Sequence, residues 1–198
     1  MKASTLKTLK WVFWGLIVVL AFGFVLKVNL DEAEKDRNKG EDTYTAGNMP
    51  DYFTHFSLLT LDGETFTEDN FKDWRITVIN GWGNTCKACV NEMPFLEELS
   101  NEYRDRGLQV IGINADYIEL EEDEDDLEES RRIVEAVGVT YPTLIPDEEF
   151  NNKVYPMTGS GLPATWLVNS HGQMVEFVSG KREKDEWAAI FDEYLALY

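Results

Sequence analysis

Two cysteines, Cys86 and Cys89, are the residues of this 198-residue chain best suited to chemistry. They follow Arg75-Ile76-Thr77-Val78-Ile79-Asn80, which reads as a strand, and the turn-like run Gly81-Trp82-Gly83-Asn84-Thr85. Thr85 or Cys86 then opens a helical pattern. The first turn of a helix offers unsatisfied N–H groups and about half a positive charge, which stabilise a thiolate at Cys86. Lys87 adds positive charge in the same sense. A thiolate is the species that attacks disulfides, and Cys89, one turn on, can resolve the resulting mixed disulfide. Other uses of the pair are weaker. A c-type haem site needs His after the second cysteine, and position 90 is Val. Zinc would need two further ligands, and the two histidines, His55 and His171, are distant in sequence. A purely structural disulfide would close too small a loop to stabilise much. Redox exchange is favoured; zinc and a structural disulfide stay open.

The elements that must position this pair alternate between strand and helix. Phe53–Leu61 and Glu64–Thr67 read as strands about an Asp62-Gly63 turn. Val90, Met93, Phe95, Leu96, Leu99 and Tyr103 space a helix that Gly107 ends. Leu108–Ile113 is a nearly continuous apolar run, as a strand buried on both faces would be. Leu127–Val137 reads as a helix closed by Gly138, and Tyr141–Ile145 as a short strand. Ala164–Val168 and Met174–Val178 flank a hairpin signal at Asn169–Gln173. Lys184–Tyr198 gives a last helix with Trp187, Ile190, Phe191, Tyr194 and Leu195 on one side. The order β-β-β-α-β-α-β-β-β-α predicts an α/β fold with a mixed sheet flanked by helices.

The string Gly81-Trp82-Gly83-Asn84-Thr85-Cys86-Lys87-Ala88-Cys89-Val90-Asn91-Glu92-Met93-Pro94, with the later Gly161-Leu162-Pro163-Ala164-Thr165, resembles membrane-anchored, thioredoxin-like thiol-disulfide oxidoreductases of the TlpA/ResA type. That family usually reads Trp-x-x-Trp-Cys-x-x-Cys-x-x-Glu-x-Pro. The likeness runs from about Pro50 to the C-terminus and implies a thioredoxin-like fold. It implies Cys86 as exposed nucleophile, Cys89 as buried resolving thiol, and Glu92 as a buried acid that takes or returns the thiol proton. A desolvated carboxyl has a raised pKa suited to that task; the bland alternative is an exposed helix glutamate. Pro94 matches a helix-bending proline. Pro163 matches a cis-proline opposite the cysteines, whose preceding residue, Leu162, would pair with an extended client peptide. Trp82 would form an apolar wall beside the site, or core packing, or both. Thr85 stands where the family has Trp; it would leave Cys86 more open, and it could cap the helix. Thr85 and Lys87 would border the client. No metal, and no cofactor beyond the dithiol, is expected.

Charge divides the chain. Residues 1–30 carry four lysines and no acid, whereas the remainder holds 14 basic and 37 acidic side chains within a net charge of −19. A field of that sign repels phosphate backbones, so nucleic-acid binding is excluded from the reading. Trp11–Leu26 is uncharged; as a helix it covers roughly 24 Å, and about 30 Å if extended to Leu30, enough to cross a bilayer. Residues 1–30 are therefore expected as one N-terminal transmembrane helix, 31–50 as a flexible linker and 51–198 as the thioredoxin-like domain. A cleaved signal peptide is the rival, but no small-x-small site follows the apolar run. Basic residues flank the segment on both sides and do not orient it. The family likeness is what implies a single-pass bacterial membrane protein with its domain outside the cytoplasm.

Nine of the eleven residues from Glu119 to Glu129 are acidic. They suit a solvated helix start; a surface for a basic partner and, weakly, a calcium loop are the alternatives. Neither histidine is given a catalytic part. The leading expectation is a reductant that takes electrons from a membrane dithiol carrier and reduces disulfides in exported clients. Cytochrome c maturation proteins and methionine sulfoxide reductases are clients suggested by the family alone. An oxidase on the same fold, a non-catalytic acidic binding module and, distantly, a peroxidase are the competitors. The last lacks an arginine near Cys86 in sequence.

Overall fold

A computed structural model describes residues 53–115, 124–158 and 161–198. The chain divides into two units, Met1–Thr43 and Tyr44–Tyr198, and every described residue belongs to the second. The expected transmembrane helix and linker lie outside the described residues, among which no helix is long and apolar enough to cross a membrane.

The elements run β1 (Ser57–Thr60), β2 (Thr65–Thr67), β3 (Ile76–Trp82), α1 (Lys87–Tyr103), β4 (Leu108–Asn114), α2 (Glu124–Val137), β5 (Thr143–Ile145), α3 (Glu148–Val154), β6 (Ala164–Asn169), β7 (Met174–Ser179) and α4 (Lys184–Leu197). The seven strands form one sheet in the order β2-β1-β5-β4-β3-β6-β7. β3, β4 and β5 are mutually parallel; β1 joins β5, β6 joins β3, and β2 and β7 join the edges, all antiparallel. The mixed α/β architecture expected from the element order is therefore present.

β3 is buried along its whole length, flanked by β4 and β6. Its period of two sends Ile76, Val78 and Trp82 into a cluster with Met93, Leu96 and Leu99 of α1 and Trp187, Phe191 and Leu195 of α4. Ile79 joins a second cluster with Phe53, Phe66, Phe71, Phe150 and Trp166. In α1 the buried positions Cys89, Glu92, Met93, Leu96, Leu99, Ser100 and Tyr103 recur at three- and four-residue steps and make one stripe. Gly107, at φ +90°, closes the turn that follows, its N–H bonded to the Arg104 carbonyl.

Several boundaries differ from the sequence reading, β3 among them, which runs on through Gly81 and Trp82, and one helix is new. The first strand covers Ser57–Thr60 only, because Phe53 is already buried in the second cluster before pairing begins. α2 starts at Glu124 rather than Leu127, and its acidic first turn suits the helix dipole. α3 was not anticipated: Asp147 caps it, its Oδ1 accepting from Phe150 N–H at 2.7 Å, and Phe150 and Val154 anchor it to the core.

The β6–β7 hairpin turns on Asn169, whose Oδ1 accepts from the N–H groups of His171 and Gln173 at 3.0 and 3.1 Å. Gly172 sits there at φ +74°, and a Cβ on it would lie 2.5 Å from the Phe53 carbonyl oxygen. Gly172→Ala is therefore expected to destabilise the domain by more than about 1 kcal/mol. Urea unfolding would check this; an unchanged midpoint would contradict it.

Candidate active site

The cysteines sit where the strand–turn–helix order places them. The loop after β3 turns with Cys86 N–H bonded to the Gly83 carbonyl at 3.0 Å, and α1 begins at Lys87. Cys86 itself is the N-cap: its Sγ accepts the Cys89 N–H at 3.2 Å. The capping part open to Thr85 thus belongs to Cys86, and Thr85 is an exposed side chain beside it. The two cysteines form a disulfide, with Cα atoms 5.3 Å apart. Cys86 is half-buried and Cys89 fully buried. An incoming thiolate can therefore reach Cys86 first. On reduction, the same amide and the helix end favour a thiolate at Cys86 over a thiol.

Gly81, near the end of β3, pairs with Ala164 at the start of β6. This register brings Leu162 and Pro163 to the end of the sheet from which the cysteine loop departs. The Leu162–Pro163 peptide bond is cis. Leu162 is half-buried and packs, like Cys86, against the cluster that holds Cys89. The Pro163 carbonyl accepts from Gly180 N–H at 2.9 Å, tying it to the loop after β7. Lys87 is exposed at the mouth of the site. Trp82 is fully buried, so it supports the cysteines from within the core and offers no wall to a client. Pro94 lies inside α1 and removes the N–H that would reach back to Val90.

Glu92 is fully buried, one turn beyond Cys89 on the same stripe of α1. Its Oε1 accepts from Asn80 Nδ2 at 3.0 Å; its Oε2 accepts from Arg182 N–H at 3.0 Å and from the Trp187 indole N–H at 3.4 Å. Desolvation raises its pKa above the usual carboxylate range; these hydrogen bonds and nearby Lys181 oppose the rise without cancelling it. The group is held both ready to accept a proton and able to bear the charge when it gives one up. The guanidinium of Arg182 is turned away, donating to the carbonyls of Ser179, Gly180 and Lys181.

Three partners of Glu92 were missed in the sequence. Asn80 had a signal, being a polar residue inside the apolar run of β3. Trp187 reads as a core residue of α4, and apolar spacing says nothing of where its N–H goes. The Arg182 contribution is a backbone group and leaves no sequence trace. A further polar cluster seats the cysteine loop on α2: Asn84 Nδ2 donates to the Asp126 carbonyl at 3.1 Å, and Ser130 Oγ to Asn84 Oδ1 at 2.7 Å. The part of the acidic stretch that precedes α2, residues 119–123, lies outside the described residues, and the rest opens α2 itself. Neither histidine is brought to the cysteines; His55 meets Glu68, and His171 lies in the β6–β7 turn. Among the described residues no cluster of His, Cys, Asp or Glu is suited to a metal ion.

Residues 49–177 match the model of the AhpC/TSA family. The thiol-disulfide oxidoreductase ResA of Halalkalibacterium halodurans is 31% identical over 126 residues, 64% of this chain and 65% of that one. Its namesake from Bacillus thuringiensis subsp. konkukian is 25% identical over 180 residues, covering 91% and 90% of the two chains. In fold, the chain is similar to a thioredoxin-family thiol:disulfide interchange protein of Chlorobium tepidum, with a TM-score of 0.57, 20% identity, and coverage of 71% and 92%. It is also similar to a secreted Mycobacterium tuberculosis disulfide oxidoreductase, with a TM-score of 0.57, 18% identity, and coverage of 75% and 100%. With its cysteine pair on the thioredoxin-like sheet and helix, the chain belongs to the AhpC/TSA family and is a relative of the ResA thiol-disulfide oxidoreductases.

Proposed function

We propose that this chain is a membrane-tethered, extracytoplasmic thiol-disulfide oxidoreductase that reduces disulfides in exported proteins. The observation that carries the chemistry is Cys86: a half-buried sulfur that caps α1, disulfide-linked to a buried partner above a buried carboxyl. The uncharged run Trp11–Leu26 supports the tether, and the ResA relatives support the compartment and the client class. Clients in cytochrome c maturation or methionine sulfoxide reduction fit this reading.

In the reduced protein the Cys86 thiolate attacks a client disulfide; a Cys86–client disulfide forms and one client sulfur leaves as thiolate. Glu92 takes the proton of the Cys89 thiol. The Cys89 thiolate then attacks Cys86 Sγ, releasing the second client thiolate and closing the Cys86–Cys89 disulfide. The pair has lost two electrons and the client has gained them. A membrane dithiol carrier returns them.

One observation favours the opposite direction. The N–H that caps Cys86 Sγ stabilises the reduced thiolate, and that makes a disulfide more oxidising. The reduction potential of residues 51–198, equilibrated with a thiol buffer, separates the two. A value near the roughly −270 mV of thioredoxin is expected for the reductase; one near the roughly −120 mV of a strong oxidant would assign disulfide installation instead.

A further inference from the structure

Every hydrogen bond that reaches the Glu92 carboxyl from the described residues is a donor bond: Asn80 Nδ2–H, Arg182 N–H and Trp187 Nε1–H. Such a shell suits the carboxylate. It does not suit the carboxylic acid, whose own O–H needs an acceptor. A backbone N–H and an indole N–H are donors only. Asn80 alone among the three carries both a donor and an acceptor on one side chain. Its acceptor, Oδ1, is buried without a hydrogen-bond partner among the described residues, a state that costs free energy and calls for a cause. Nδ2 meanwhile donates to both Glu92 Oε1 and Thr165 Oγ1, each at 3.0 Å. Thr165 is a hydroxyl and can exchange accepting for donating by rotating its proton.

We propose that Asn80 is the positioning residue for Glu92: its amide holds the carboxylate through Nδ2–H and turns over to offer Oδ1 when that carboxyl carries a proton. After the turn, Oδ1 accepts from the Glu92 O–H and from the Thr165 hydroxyl, while Nδ2 takes the unpartnered place that Oδ1 held. The amide thereby links the proton on α1 to β6, two residues beyond Pro163. The remaining ionisable groups facing this spot are few. Lys181 approaches from the loop after β7; the Tyr141 phenol, before β5, feels the Glu92 charge; and the Arg182 guanidinium is bound to backbone carbonyls. Neither Lys181 nor Arg182 can accept the Glu92 proton as a hydrogen bond. This inference rests on Glu92 as the proton acceptor of the thiol exchange, and its test separates the two.

The experiment titrates the full chain, reduced and oxidised, by NMR, following the Glu92 side-chain carbon and the Asn80 side-chain amide. In the wild type the Asn80 amide protons are expected to shift with the same midpoint as Glu92. In Asn80→Leu, loss of a donor to a charged group should raise that midpoint by about one to two pH units. Asn80→Asp, close in shape, should raise it as well, because two adjacent carboxyls share a proton. Trp187→Phe should raise it less, its bond being longer. An Asn80 amide that ignores the Glu92 titration, or a Glu92 midpoint unmoved in both Asn80 variants, overturns the proposal. Should Asn80→Leu fail to fold, the wild-type amide titration and Asn80→Asp still decide. The pH profile of disulfide exchange, measured in parallel, reports on Glu92: a midpoint that moves by NMR while the exchange profile stays fixed upholds the positioning role and removes Glu92 from the exchange step.

Discussion

Cys86→Ser is expected to lower the rate of disulfide exchange at least about a thousandfold, because a hydroxyl forms no mixed disulfide and passes no electrons through one. Cys89→Ser has a different outcome. Attack by Cys86 remains, but release is lost, so the protein accumulates joined to its client, which mass spectrometry reads as one added client mass. Neither change should unfold the domain. The bridge spans only three positions, and so small a loop contributes little through chain entropy. A Cys86→Ser variant with wild-type reductase activity would contradict the exchange mechanism outright.

The largest expected loss of stability comes from Trp187→Ala. The indole is fully buried against Phe191, ring centroids 5.7 Å apart, and its N–H serves Glu92. Emptying that space should cost about 3–5 kcal/mol, a large share of the roughly 5–15 kcal/mol of a typical domain. Urea unfolding of the oxidised protein at neutral pH would show a midpoint falling steeply with little change in slope. A loss below about 1 kcal/mol would mean that α4 is not anchored through this residue.

How much of this was legible in the sequence varied with the physics of each part. β3, α1, the late hairpin and α4 were readable because their apolar residues repeat with the period of the element and lie in the core. Glu92 could be placed by the same token, since it shares a stripe with Cys89, Leu96 and Leu99; whether it was buried depended on α4, ninety residues on, closing over it. Spacing alone does not give that. α3 escaped because seven residues with two buried anchors carry too short a periodicity. The cap of α1 was legible as a position, but the choice between Thr85 and Cys86 depends on the backbone turn at Gly83. Trp82 reads as apolar either way, and only the finished sheet decides that it faces inward.

The pairing order of β3 also bears on how the domain is made. Its parallel neighbour, β4, arrives about thirty residues later in the chain, but its other neighbour, β6, is Ala164–Asn169, with Ile76 opposite Asn169. β1 likewise waits for β5. Such distant partners place this fold among those whose formation is slowed by loop closure. A chain emerging from N- to C-terminus therefore exposes Cys86 and Cys89 well before β6 can cover them. During that interval the pair is open to oxidation by, or capture on, whatever disulfides surround it, so successful production depends on the redox state of the compartment as well as on the sequence.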